Sequence, residues 1–110
     1  MKKLSKIAVA AALCAGGIGF ASSVMALDGQ ALYLDATKGG CSACHGKDGK
    51  TPIMPAYPKL AGNNAVYLYN QIKDIQSGKR NNGMTAAMKG ITHMTTDEEK
   101  KAIAEWLATQ

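Results

Sequence analysis

Apolar positions in this chain fall into three spaced groups, with glycine- and proline-rich stretches between them. In residues 28–38, Ala31, Leu32, Leu34 and Ala36 favour a first helix, and Gly39-Gly40 stops it. Ala65, Leu68, Ile72 and Ile75 then recur at spacings of three and four, which is one apolar stripe of a second helix. Asn63 or Asn64 opens that helix and Gly78 is its natural stop. In the last group Ala102, Ile103, Trp106 and Leu107 share one face. Thr96 followed by Glu99 is a capping-box signature for its start. Asp97, Glu98 and Glu99 suit the positive end of its dipole. The apolar–polar alternation of strands is missing. The pattern therefore predicts an all-α domain of three longer helices, one short turn at residues 41–45 and two long loops.

Residues 46–62 hold Gly49, Pro52, Pro55, Pro58 and Gly62, so they read as a loop. A loop this long in a compact domain is usually functional. Residues 79–94 read as a second irregular segment, rich in Asn, Gly and Met.

The first residues follow a different rule. Lys2, Lys3 and Lys6 precede an apolar run to Phe20, and small residues lead to Val24-Met25-Ala26. This is the order of a secretory signal peptide. Residues 1–26 are expected to be removed after export to the periplasm, leaving residues 27–110 as the domain. The apolar run is too short and glycine-rich for a comfortable membrane span, so no integral span is expected after cleavage, a retained N-terminal anchor being the alternative. Cys14 is expected to leave with the signal, since Leu13 is bulky where a lipidation site wants a small residue.

Cleavage after Ala26 leaves 84 of the 110 residues. A core that small usually needs a staple. The whole chain carries 13 basic and 8 acidic residues, but three of the lysines lie in the signal. The remainder has no dense basic run with interleaved aromatics, which argues against nucleic-acid binding. A mild positive excess is enough to steer docking with an acidic partner.

The staple is suggested by Cys41-Ser42-Ala43-Cys44-His45. The spacing C-x-x-C-H reads as covalent attachment of a c-type haem. Two thiols one helical turn apart reach the two vinyl-derived positions on one porphyrin edge, and the next histidine lies under the iron. A zinc site would want four ligands, and His45 is badly placed to share a metal with Cys44. A thioredoxin-like dithiol would sit in a strand-rich context, which this chain lacks. For a second axial ligand, residue types alone leave Met84, Met88, Met94 and His93 open.

Together with Pro58-Lys59-Leu60-Ala61-Gly62, Met88-Lys89-Gly90-Ile91 and the closing Ala104-Glu105-Trp106-Leu107, the motif resembles class I bacterial cytochromes c. The small monohaem periplasmic members, and one half of the dihaem ones, are most similar. The resemblance covers nearly all of residues 27–110. It implies one haem c with its iron, thioether bonds from Cys41 and Cys44, His45 as proximal ligand and Met88 as distal ligand. It also implies that a carbonyl of the proline loop, Pro55 being the candidate, orients His45. The first and last helices should cross near Gly29 and Trp106. Two departures stand out. His93 replaces a small residue, which keeps a bis-histidine haem as an alternative. Thr95 replaces a leucine, and Met94 is expected to supply that apolar contact.

The implied function is periplasmic one-electron transfer, not catalysis, with reductases and oxidases of the periplasm or membrane as partners. A haem enzyme or ligand sensor with an open distal position is one rival. A haem subunit docked to a dehydrogenase or oxidase is the other.

Overall fold

A computed structural model describes residues 26–110. All of the expected signal peptide but Ala26, and Cys14 with it, lies outside the described residues. Five α-helices follow in order: α1 (Gly29–Leu34), α2 (Cys41–His45), α3 (Ala65–Ser77), α4 (Thr85–Ile91) and α5 (Asp97–Ala108). Short 3-10 turns at Ala36–Lys38 and Thr92–Met94 complete the set, and there is no strand among the described residues. The all-α architecture is therefore as expected.

Helix α5 packs against both α1 and α3, while α4 packs on α3. The α1–α5 crossing lies at Gly29 and Trp106, where the family resemblance implied it. A side chain at Gly29 would collide with the Ala102 carbonyl oxygen and come within 2.7 Å of Trp106 Cβ. Tyr33, fully buried one turn later, meets the Trp106 ring at 5.1 Å between centroids. Tyr33, Leu68, Ile103, Ala104 and Leu107 form the buried core, with Leu32, Cys41, Leu60, Tyr69 and Trp106 packed around it. Ile53, Met54, Val66, Tyr67 and Met84 stay exposed. So small a core beside so much bare apolar surface is what a domain built around a large apolar cofactor should show.

Helix ends follow local chemistry. The Asn64 side chain accepts from Tyr67 N, and Gly78 ends α3 in the left-handed conformation at φ 85°. The capping box is complete: Glu99 N donates to Thr96 Oγ1 at 3.2 Å and Thr96 N donates to Glu99 Oε1 at 2.9 Å.

Two expectations need correction. The first helix ends at Leu34 and not at residue 38. Asp35 accepts from both Thr37 N (2.8 Å) and Thr37 Oγ1 (2.7 Å), a local turn that competes with helix continuation. Part of the expected irregular segment 79–94 is helical, as α4 and the turn after it. Helix α4 has no side-chain cap at its start and owes its stability to packing on α3, so its own sequence carries little helix signal.

Candidate functional site

The chain enters α2 through Gly39 and Gly40, both at positive φ (106° and 59°). Gly39 fits there for a second reason: a Cβ would press to 3.3 Å from the Ile91 carbonyl oxygen at the end of α4. The start of α2 is thus held close to the end of α4. Within α2, Cys41 and Cys44 lie one turn apart, both half-buried and both free thiols. Burial is the main reason the Cys41 thiol is pushed above its ordinary value, with Cys44 adding to it.

His45 ends α2 with 5 % of its surface exposed. Its Nδ1 lies 3.0 Å from the Pro58 carbonyl oxygen. A carbonyl only accepts, so Nδ1 carries the proton and Nε2 keeps its lone pair. Burial lowers the His45 pKa from its ordinary value, and the Pro58 bond works against that by favouring the protonated ring. The result is a neutral, oriented imidazole with one nitrogen free to bind a metal.

The orienting carbonyl is that of Pro58, not Pro55 as the sequence suggested. Pro55 lies instead within a turn in which Tyr57 N donates to the Met54 carbonyl (3.0 Å). Leu60 N (2.9 Å) and Ala61 N (3.2 Å) both donate to the Gly49 carbonyl, which pins the loop with Pro58 facing His45. Tyr33 Oη donates to the Gly46 carbonyl at 2.6 Å, tying α1 to the residue after His45.

Of the four candidate distal residues, only Met88 lines a cleft together with Cys41. Ile72, Ile91, Ile103 and Lys100 form more of its wall. The cleft encloses about 40 Å³, and neither Cys44 nor His45 lines it. Met84 and Met94 are 47 % and 44 % exposed. His93 is exposed and its Nδ1 lies 3.3 Å from Gln76 Nε2 on α3. Met94 therefore does not fill the place left by Thr95. That turn is held differently, by Lys100 Nζ donating to the Thr95 carbonyl at 2.6 Å.

The donor set fits a covalently held haem. It supplies two thiols at the right spacing, one imidazole with a free Nε2, a thioether on the cleft wall and an apolar lining. Sequence reasoning missed Lys100. The signal was present, since Lys100 stands three, four and seven residues before Ile103, Ala104 and Leu107, on the core stripe of α5.

Comparison with known proteins gives a consistent result. The Cytochrome c family model matches residues 26–110. Cytochrome c4 of Pseudomonas aeruginosa is 36 % identical over 107 residues, covering 97 % of this chain and 49 % of its own length. Cytochrome c-553 of Nitratidesulfovibrio vulgaris is 30 % identical over 105 residues, covering 96 % of this chain and 98 % of its own. A thiosulfate dehydrogenase electron acceptor of Stutzerimonas stutzeri is 37 % identical over 89 residues, covering 74 % of this chain and 38 % of its own length. The chain thus spans about half the length of the cytochrome c4 relative and nearly all of the c-553 one.

Proposed function

The chain belongs to the cytochrome c family, with the all-α fold of its class I members and haem c as its covalent cofactor, and we propose that it is a periplasmic carrier of single electrons. In this reading residues 1–26 direct export and residues 27–110 form the cytochrome domain. Cys41 and Cys44 hold the haem, His45 is the proximal ligand and Met88 the distal one. The observation that carries the assignment is the cleft wall shared by Cys41 and Met88, with His45 at the other end of the same short helix.

When bound, the haem supplies one-electron chemistry between ferrous and ferric iron. The protein supplies the setting. The Pro58 carbonyl fixes the His45 tautomer and raises the basicity of its Nε2. A thioether from Met88 favours a high reduction potential. Ile72, Ile91 and Ile103 give the cleft an apolar lining. The motif calls for no bond-making side chain, and the mild positive charge of residues 27–110 suits docking to acidic redox proteins.

The partners proposed are reductases and oxidases of the periplasm or the membrane. Relatives named as electron acceptors of thiosulfate dehydrogenase favour a second, narrower reading, in which the chain is the haem partner of a dehydrogenase. Among the described residues no helix is long and apolar enough to cross a membrane. Co-purification from periplasm separates the two readings, because a stable subunit carries its enzyme with it and a free carrier elutes alone.

Optical spectra of the oxidised holoprotein test the ligand set. The methionine–iron charge-transfer band is expected in the wild type and in the Met84→Ala, Met94→Ala and His93→Ala variants, and is lost in Met88→Ala. A band that survives Met88→Ala, or is missing from the wild type, overturns the assignment.

A further inference from the structure

Lys100 is the most deeply buried charged side chain among the described residues, with 2 % of its surface exposed. An ammonium on the core stripe of a helix is costly unless something uses it. One of its three donors goes to the Thr95 carbonyl, at a distance short enough for a charge-assisted bond. No carboxylate forms an ion pair with it among the described residues. The nearby acids are engaged elsewhere: Glu99 with Lys38 at 3.0 Å and Asp97 with Lys73 at 2.7 Å. The Lys100 side chain lines the same cleft as Cys41 and Met88.

The place of Thr95 matters. It follows directly on the turn Thr92–Met94, which continues α4 and so the helix that carries Met88. The Lys100–Thr95 bond closes that segment onto the first turns of α5. The same side chain thus grips the distal segment and holds a positive charge, with no ion-paired carboxylate among the described residues, behind the largely apolar wall of the cleft.

We infer that Lys100 is a positioning residue that also sets the reduction potential, its ammonium anchoring the segment behind Met88 and its charge favouring ferrous over ferric haem. The inference rests on the reading of this cleft as the haem site. The sign follows from charge alone. Ferric haem carries one more positive charge than ferrous, so a fixed positive neighbour disfavours the ferric state. A unit charge acting across roughly 10 Å at an effective dielectric constant of about 20 changes that equilibrium roughly tenfold. For a one-electron couple a tenfold change is about 59 mV.

Redox titration of the holoprotein provides the test, with Lys100→Met, Lys100→Gln and Lys100→Arg compared with wild type. The two neutral variants should shift the ferric-to-ferrous ratio at fixed potential roughly tenfold toward ferric, a midpoint lower by about 59 mV. Arginine keeps the charge and should restore most of the shift. If Lys100→Met fails to fold, as judged by far-ultraviolet circular dichroism, Lys100→Gln against Lys100→Arg decides. Neutral variants that alter the ratio less than twofold overturn the inference, as does an arginine variant that behaves like them. The same comparison in a Met88→Ala background separates this idea from the ligand assignment. A wild type without the methionine–iron band refutes Met88 as ligand, while the charge effect of Lys100 is still read in the midpoint.

Discussion

Adding one methyl group at Gly29 should destabilise the holoprotein, although alanine is the better helix former. Alanine in place of glycine gains about 0.5–1 kcal/mol in a helix interior, and less at Gly29, the first residue of α1. Against this stands the α1–α5 crossing. The new Cβ would overlap the Ala102 carbonyl oxygen and lie 2.7 Å from Trp106 Cβ. Carbon atoms pack best at about 3.5–4.0 Å, so the helices must separate by roughly 1 Å. Overpacking of this kind typically costs about 1–3 kcal/mol. The separation also pulls Trp106 from the fully buried Tyr33. The collision wins, with a net loss of about 1–2 kcal/mol, which lowers the midpoint of a domain this size by about 5–15 °C. Gly90→Ala is the control. Gly90 lies inside α4, its φ is not positive and nothing stands within 4 Å of an added Cβ. That variant should be neutral or gain about 0.5 kcal/mol. Thermal unfolding followed by circular dichroism reads both. A Gly29→Ala protein as stable as wild type, or a Gly90→Ala protein destabilised equally, would show that the α1–α5 crossing tolerates the added methyl or that the loss is not specific to it.

Three further outcomes are expected. Tyr33→Phe removes the hydroxyl that donates to the Gly46 carbonyl but leaves that oxygen the Gly49 N–H, so denaturant unfolding should report a loss of only about 1 kcal/mol. Thr96→Ala breaks the capping box of α5 and should also cost about 1 kcal/mol by the same measurement, with a change below about 0.3 kcal/mol counting against the cap. Acid should weaken the fold through Asp97 and Glu99. Lys73 and then Tyr69 hold the Asp97 carboxyl below its ordinary range, while the Thr96 N–H and then Lys38 do so for Glu99. A lowered folded-state pKa gives stability that is full above the unfolded value of about 4 and is lost as pH falls through the folded one. Stability measured between pH 5 and pH 2 should therefore fall less steeply in Asp97→Asn/Glu99→Gln than in wild type, and equal slopes would contradict this.

What could be read from the sequence was local chemistry. The spacing of Cys41, Cys44 and His45, the caps Asn64 and Thr96 and the stop at Gly78 each depend on residues a few positions apart. They stand in the structure where the sequence put them. The close crossing at Gly29 and Trp106 came from the family resemblance, since nothing local to Gly29 marks it. Features set by distant parts of the chain were missed. Helix α4 has no side-chain cap and is stabilised by α3. The choice of Pro58 over Pro55 depends on Gly49 pinning the far side of the loop. Lys100 was overlooked because lysine is assumed to face water, although its position on the α5 stripe placed it inside. Residue type could not choose among the four distal candidates, and of these Met88 is the one that lines a cleft with Cys41.

Everything proposed for this protein depends on a single haem bound through Cys41 and Cys44 of an exported chain. Intact mass of the protein isolated from periplasm, taken together with its pyridine haemochrome spectrum, tests it most directly. The expected result is the mass of residues 27–110 plus one haem, with a haemochrome typical of two thioether bonds that survives acidic acetone extraction. A haem removed by that extraction, a mass without haem, or a chain that retains residues 1–26 would contradict it.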